Sequence, residues 1–261
     1  LIGILFYLFA VRYAVWREPK AGPAGERVSW GNRLKSVKDV WAVLLLFFLV
    51  IGGLYGAFDF HPLNLTFSPT EAAGMGAAGA FFIALSRGGL NLRTTFETLK
   101  ETAVTTSSLF AVLIGAQVFS NFINLAGLPE ALIQLVTTYD VPAFAVLLMI
   151  LGIYVILGCV FESLSMLLLT VPIFFPLITS LGYDPIWFGI VVVVVTEISL
   201  ITPPVGLNVF ILKSVVGDVT TGTIFRGVTP FWIADIFRLA LIVLLPIIVL
   251  YLPTQMGALG H

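Results

Sequence analysis

The chain has 261 residues and a formal net charge of −1; 59% of its residues are hydrophobic and only 10% are charged. Together with a mean hydropathy of +1.08, this composition excludes an ordinary soluble domain and is typical of a polytopic, all-α membrane protein. No basic stripe is present, which excludes nucleic acid as a partner. A single cysteine, Cys159, excludes an internal disulfide.

A spanning helix needs about 20 apolar residues, and this length divides the chain into a series of membrane segments. The chain opens at Leu1, inside an apolar run that has no charged start, so a signal peptide is not predicted. We expect a fragment of a longer membrane protein that lacks an N-terminal repeat. The predicted spans are a truncated one at 1–15 and others at 39–58, 71–86, 102–127, 142–181, 186–216 and 228–252.

The lysines and arginines of the loops predict the orientation, because short cytoplasmic loops carry an excess of them. The connecting loop 16–38, with Arg12 just before it, holds more than half of the chain's basic residues and is therefore predicted to be cytoplasmic. The loops at 87–101 and 217–227 also carry basic residues. The loop at 128–141 carries none and is predicted to lie on the outer face.

Two long apolar segments are each interrupted once, at 161–163 and at 199–206. Non-helical backbone survives at membrane depth only where protein or a wet cavity satisfies its polar groups. Paired interrupted segments indicate a transporter binding site near the membrane midplane. Segment 142–181 is either a hairpin that enters and leaves on one face or two full crossings, and charge alone does not separate these readings. The short, apolar turn at 161–163 favours a hairpin with a buried tip.

The second interruption contains Pro203 and Pro204, which lack N–H donors. Proline also disfavours the helical conformation of the residue before it, so the first half-helix should end near 199–201. We expect a second half-helix with Thr202 as its N-cap and a proline at its first position. Carbonyls freed at the break suit Na⁺, helix N–H groups suit a carboxylate, and Asn208 can orient either ligand. The alternative is a proline kink that only shapes packing.

Glu162 and Glu197 are the acidic residues inside the two interrupted apolar segments. Each costs about 2.5–3.5 kcal/mol at the bilayer centre on insertion scales, so each needs a partner or a wet cavity. For Glu162, a place in the ion pathway and a structural hydrogen bond are both open; for Glu197 the structural reading is favoured. Ser163 and Ser165 can supply hydroxyl oxygens, although such serines often bond their own helix carbonyls.

Four sequence motifs resemble the large membrane subunit of the tripartite ATP-independent periplasmic (TRAP) transporters. They are Pro-Thr-Glu-Ala-Ala at 69–73, Leu-Thr-Val-Pro-Ile-Phe-Phe-Pro at 169–176, Asp-Pro-Ile-Trp-Phe-Gly at 184–189, and the proline break at 201–208. The similarity covers nearly the whole chain as a C-terminal portion of that subunit. The chain departs from the family pattern at 162–163, a place often Asp-Pro, and at Ser199, where glycine is usual.

The resemblance implies an inverted-repeat, elevator-type fold of the ion transporter superfamily kind, with a re-entrant helical hairpin and a discontinuous helix. Residues 39–127 would be scaffold-type helices, 142–216 the transport-domain hairpin and broken helix, and 217–261 a cytoplasmic loop and the last span. The implied function is Na⁺-coupled import of a small organic acid across the bacterial inner membrane. The implied partners are a periplasmic substrate-binding protein and a small membrane subunit, separate or fused.

The resemblance and the helix break together predict the site residues, none of them catalytic. The predicted Na⁺ ligands are Glu162, Ser199, Thr202, Pro203, Gly206 and Asn208. The predicted substrate contacts are Ser163, Ser165, Thr202 and Asn208. The acid itself is left open between C4-dicarboxylates, keto acids and sugar acids.

Three other functions compete with transport of this kind. An intramembrane enzyme is disfavoured because the spans contain no catalytic histidine and no HExxH motif. An ABC-type permease is disfavoured because its coupling loop should be cytoplasmic, whereas the charge pattern places Glu71 outside. A structural membrane subunit of a larger complex would not need two paired helix breaks, and it stays as the alternative.

Overall fold

The computed structural model describes residues 2–17, 29–56, 66–217 and 219–255, and none of these residues lies in a β-strand. Among these residues, three helices are long and apolar enough to cross a membrane: Leu92–Leu125, Ser163–Ser180 and Thr221–Leu244. The prediction of an all-α, multi-pass membrane protein is therefore confirmed. The helices of the described residues are α1 Ile2–Arg17, α2 Trp30–Leu54, α3 Pro69–Ser86, α4 Leu92–Leu125, α5 Leu128–Thr138, α6 Ala143–Gly158, α7 Ser163–Ser180, α8 Pro185–Ser199, α9 Leu207–Val216, α10 Thr221–Leu244 and α11 Ile247–Gln255.

Three predicted loops, 87–101, 128–141 and 217–227, are largely helical in the structure, the last because α10 begins at Thr221. This corrects the expectation from sequence. Helix α4 begins inside the predicted loop 87–101 because Asn91 and Thr94 cap it reciprocally. The side chain of each residue accepts the backbone N–H of the other at 2.8 Å, as in a capping box. The predicted outer loop 128–141 contains α5, which starts with a proline in its first turn, a position that tolerates a missing N–H.

The predicted connector 16–38 is helical in its last part, because α2 already begins at Trp30. Ser29 is the N-cap of α2, and its hydroxyl accepts the N–H of Asn32 at 3.4 Å. Residues 18–28 of the connector lie outside the described residues.

The chain divides into two compact units, Ala24–Ser107 and Leu1–Pro23 together with Ser108–His261. In the first of these, α2 packs against α3 through small residues. A Cβ at Gly79 would collide with the side chain of Leu46, and a Cβ at Gly76 would lie 3.6 Å from Val50. Glycines of this kind allow membrane helices to approach closely.

Helix α8 forms the centre of the other unit, where it packs against α6, α7, α10 and α11. Its side chains Trp187, Phe188, Val191 and Val195 are at most 1% exposed. In a membrane such packing stabilises the fold through van der Waals contacts, because lipid tails are as apolar as these side chains. The helix that carries one predicted interruption is therefore held rigidly up to the point where it breaks.

Helices α1 and α10 pack against each other. A polar cluster lies within their otherwise apolar contact. The hydroxyl of Tyr7 lies 2.7 and 2.9 Å from the two carboxylate oxygens of Asp235. Arg238 Nη2 lies 3.0 Å from Asp235 Oδ1, and the guanidinium is 5.8 Å from the centre of the Tyr7 ring. Neither Asp235 nor Arg238 was singled out from the sequence, although both lie inside the predicted last span.

The predicted last span, 228–252, is two helices, α10 and α11, because Pro246 separates them. Proline has no N–H to donate to the carbonyl four residues earlier, that of Ile242. The indole Nε1–H of Trp187 donates to this carbonyl instead, at 3.0 Å. The start of α8 is thereby joined to the end of α10.

Candidate functional site

The first interruption is a four-residue turn, 159–162, between α6 and α7. Glu162 is the N-cap of α7. Its carboxylate accepts the N–H of Leu164 at 3.0 Å, and the N–H and hydroxyl of Ser165 at 3.0 and 3.2 Å. The carboxylate therefore already has three donors, and both it and the hydroxyl of Ser165 serve the start of a helix. Ser163 is the first residue of α7 and is half-buried.

A buried hydrogen bond joins the two arms of this hairpin. The hydroxyls of Tyr154 on α6 and Thr170 on α7 are 2.7 Å apart. The hydroxyl of Thr170 also lies 2.7 Å from the carbonyl of Met166, one turn earlier. Tyr154 is fully buried, so loss of the Thr170 hydroxyl would leave the tyrosine hydroxyl without this partner in an apolar surrounding. The bond fixes the arms relative to each other.

The second interruption separates α8, which ends at Ser199, from α9, which begins at Leu207. The predicted end of the first half-helix is confirmed. The predicted start of the second is wrong: Gly206, not Thr202, precedes its first residue and adopts a left-handed conformation with φ +56°. Four residues, 203–206, separate Thr202 from the start of α9, and only glycine adopts a left-handed conformation at little cost.

Thr202 is instead part of an extension of α8. Its N–H donates to the carbonyl of Ser199 at 3.1 Å, and its hydroxyl donates to that of Ile198 at 2.7 Å. Trp232 on α10 donates its indole N–H to the same hydroxyl at 2.9 Å. Thr202 is only 8% exposed, so its burial and these three hydrogen bonds hold it in place at the break.

Several oxygens at the break are already occupied by hydrogen bonds. Ser199 Oγ donates to the carbonyl of Thr196 at 2.5 Å. The carbonyl of Gly206 accepts the N–H of Val209 at 2.8 Å, and that of Leu200 accepts the N–H of Asn208 at 3.1 Å. The backbone of Asn208 thus ties the new helix back to the old one.

Other oxygens at the break remain available. Within the described residues, no N–H or hydroxyl donates to the carbonyls of Glu197, Ile201 or Thr202. The hydroxyl of Thr196 is fully buried and has no hydrogen-bond partner there either. An unpaired buried hydroxyl costs about 1–3 kcal/mol. Four oxygens near the end of α8 therefore lack donors, whereas Pro203 and the Asn208 side chain lie at the exposed side of the break.

The structure brings the hairpin tip and the helix break together. Gly158, the last residue of α6, lies so close to Ser199 that a Cβ on the glycine would collide with the serine side chain. The tip that contains Glu162 follows only a few residues later. One region therefore contains both the start of α7 and the end of α8. The first is the positive end of a helix dipole, and the second is a negative end.

Comparison with known proteins identifies the relationship. Residues 1–248 match the family described as "Tripartite ATP-independent periplasmic transporter, DctM component". The chain belongs to this family. The predicted resemblance is thereby confirmed, and because the family is one of transporters, so is the prediction that the chain is not an enzyme.

Several DctM relatives are similar over most of the chain. The C4-dicarboxylate TRAP transporter large permease protein of Pseudomonas aeruginosa is 33% identical, and the alignment covers 98% of this chain and 58% of the relative. The sialic acid large permease of Vibrio cholerae is 32% identical over 87% of this chain and 51% of the relative. The isethionate permease DctMQ of Oleidesulfovibrio alaskensis is 30% identical, and the alignment covers 82% of this chain and 33% of the relative. The chain spans about half the length of the first two.

Sequence reasoning missed two features of the break between α8 and α9. Thr196 was not singled out, although a polar residue just before the break in a valine-rich helix is a readable signal. Trp232 was not singled out because its partner, Thr202, is 30 residues away in sequence. Glu197 lies on the exposed side of α8, close enough to Tyr7 to interact with it electrostatically.

Proposed function

We propose that this chain forms the part of a TRAP transporter that couples the inward movement of a small organic acid to Na⁺. The single observation that carries the proposal is the contact of Gly158 with Ser199, which puts a helical hairpin tip beside an interrupted helix. Interrupted helices that meet in this way form substrate and ion sites in secondary transporters.

The sodium site uses oxygens at the end of α8. Hard cations prefer oxygen ligands, and the negative end of a helix dipole favours a cation. The carbonyls of Glu197, Ile201 and Thr202 and the hydroxyls of Thr196 and Thr202 are the best-suited ligands, because each still has a lone pair. The predicted ligands Ser199, Pro203 and Gly206 then shape the break, and Glu162 caps α7.

The organic acid binds next to this site, at the N-terminal ends of α7 and α9. The positive dipole end of each helix favours a carboxylate, although the N–H groups of Leu164 and Ser165 at the start of α7 already donate to Glu162. Ser163, Ser165, Thr202 and Asn208 are the predicted polar contacts. Relatives named for C4-dicarboxylates and sialic acid support an acidic substrate.

The hairpin 142–181 is re-entrant in this proposal, and the unit that contains it moves as an elevator in the bacterial inner membrane. A periplasmic substrate-binding protein delivers the acid, and a small membrane subunit completes the complex. The family description supports the first partner, and the relative named DctMQ supports the second. A structural membrane subunit remains the competing function.

Uptake of radiolabelled organic acids by the complete transport complex in proteoliposomes tests the proposal. We expect uptake to require both an inward Na⁺ gradient and the cognate binding protein. Thr202→Val removes a proposed Na⁺ ligand and should raise the Na⁺ concentration needed for half-maximal uptake, whereas Asn208→Ala removes a proposed acid contact and should raise the acid concentration needed. Unchanged Na⁺ dependence in Thr202→Val contradicts the sodium site. No uptake by a folded complex across a broad acid panel favours the structural subunit.

Labelling of single cysteines at 160–163, in a Cys159→Ala background, tests the re-entrant hairpin. We expect these cysteines to react with a reagent added from the outer face, and the reaction to slow with Na⁺ and substrate. Labelling only from the cytoplasmic face contradicts the proposed hairpin.

A further inference from the structure

The indole of Trp232 reaches the helix break from a different helix, α10. Its Nε1–H donates to Thr202 Oγ1 at 2.9 Å, across 30 residues of sequence. Trp232 itself is only partly exposed, and Thr202 is buried. A tryptophan N–H needs a partner when it is buried, but any nearby carbonyl would serve. Here the partner is a hydroxyl at the break.

The hydrogen bonds of Thr202 leave its hydroxyl with a defined remaining capacity. A threonine hydroxyl has one proton and two lone pairs. The proton is directed to the carbonyl of Ile198, 2.7 Å away, and one lone pair accepts the indole N–H of Trp232. One lone pair remains. Because the indole can only donate, the hydroxyl cannot turn its proton toward Trp232. While that proton stays on the carbonyl of Ile198, the remaining position is an acceptor.

We propose that Trp232 is a positioning residue for the sodium site: it holds the Thr202 hydroxyl so that its free lone pair is presented to the ion. This inference rests on the proposed function, since it assigns Trp232 a role through Thr202 and not a contact with Na⁺. It also joins α10 to the ion site, so that movement of α10 relative to α8 alters ion binding.

Trp187 provides the matched control, because it is a second tryptophan whose N–H bonds to α10. It donates to the carbonyl of Ile242 at 3.0 Å, near the start of α8 and away from the break. Trp187→Phe removes an indole hydrogen bond from α8 to α10. Trp232→Phe removes one from α10 to the extension of α8. Only the second affects Thr202.

Na⁺ titrations of thermal stability test the role of Trp232 without knowledge of the substrate. The purified complete transport complex is heated in NaCl–KCl mixtures of constant ionic strength, because a ligand that binds only the folded state raises Tm. A net hydrogen bond corresponds to roughly one power of ten in affinity. We therefore expect Trp232→Phe to need about tenfold more Na⁺ for half of the Tm rise, and Trp187→Phe to need the wild-type concentration.

Each outcome identifies what has failed. If wild-type Tm does not respond to Na⁺ relative to K⁺, the proposed sodium site is wrong. If wild type responds and Trp232→Phe has the same half-saturation, the role of Trp232 is wrong while the sodium site stands. Trp232→Phe should also have no further effect in a Thr202→Val background; an additive effect there would contradict action through Thr202. Trp232→Met, which fills space with a flexible apolar side chain and has no N–H or O–H donor, replaces Trp232→Phe if that variant does not fold.

Discussion

Gly158 at the end of α6 lies directly against Ser199 at the end of α8, with no room for a side chain between them. The serine is fully buried and bonds the carbonyl of Thr196. The turn of the hairpin and the break of the central helix thus share one close contact. This contact requires glycine at position 158, because any larger side chain would collide with Ser199.

Gly158→Ala should therefore separate the hairpin from the break. Overpacking of this kind costs about 1–3 kcal/mol, so we expect a lower Tm of the purified protein and weaker Na⁺-dependent uptake. Gly152→Ala is the control: it lies in the same helix with no atom within 4 Å of its added Cβ, and alanine favours a helix over glycine. Equal Tm values for the two variants would show that the contact is not tight.

Gly206→Ala should disturb the break in a different way. Its φ of +56° disfavours any Cβ by about 1–2 kcal/mol. The added atom would also lie 3.2 Å from the carbonyl oxygen of Thr202 and 3.3 Å from Phe225. Gly182→Ala is the matched control, since Gly182 has φ +83° and open space around it. We expect both variants to lower Tm, and only Gly206→Ala to raise the Na⁺ concentration for half-maximal uptake.

The sequence predicted the position of both interruptions because proline and local polarity act within a few residues. Pro203 and Pro204 together remove two consecutive N–H donors, which favours the end of a helix, and α8 indeed ends at Ser199. The predicted start of the second half-helix was wrong because two sequence signals competed. Thr202 followed by proline is a good N-cap pattern, but Gly206 permits a wider turn.

Long-range features were not predictable from local patterns. The partners of Asp235 and Thr202 are Tyr7 and Trp232, and sequence spacing gives no indication of either pair. Helix α5 was missed for a different reason: a segment without lysine or arginine indicates a side of the membrane but says little about helix or loop.

Glu162 allows a test between a capping residue and an ion ligand. Its carboxylate accepts two N–H groups of the first turn of α7, so we expect Glu162→Ala to lower stability by about 0.5–2 kcal/mol. Glu162→Ser keeps a good N-cap acceptor and should preserve both Tm and the Na⁺ dependence of uptake. Asp184→Ala, which removes the N-cap of α8, serves as the control for loss of a cap. A raised half-saturating Na⁺ concentration in Glu162→Ser would make Glu162 an ion ligand.

The Asp235–Arg238 pair should behave as a buried ion pair, in contrast to the exposed pair Arg93–Glu97. The side chains of Asp235 and Arg238 are 7% and 23% exposed, whereas those of Glu97 and Arg93 are 60% and 88% exposed. Asp235→Asn leaves a mostly buried arginine without its counter-charge, which costs about 3–5 kcal/mol.

The double variant Asp235→Leu/Arg238→Met removes both charges and should regain most of the lost stability, because no unpaired charge remains. Glu97→Gln should change stability by less than about 0.5 kcal/mol. Unfolding of the purified protein in detergent, followed by circular dichroism, measures all three variants. A double variant less stable than Asp235→Asn would mean that the pair, with Tyr7, stabilises the contact of α1 with α10 beyond neutralising its own charges.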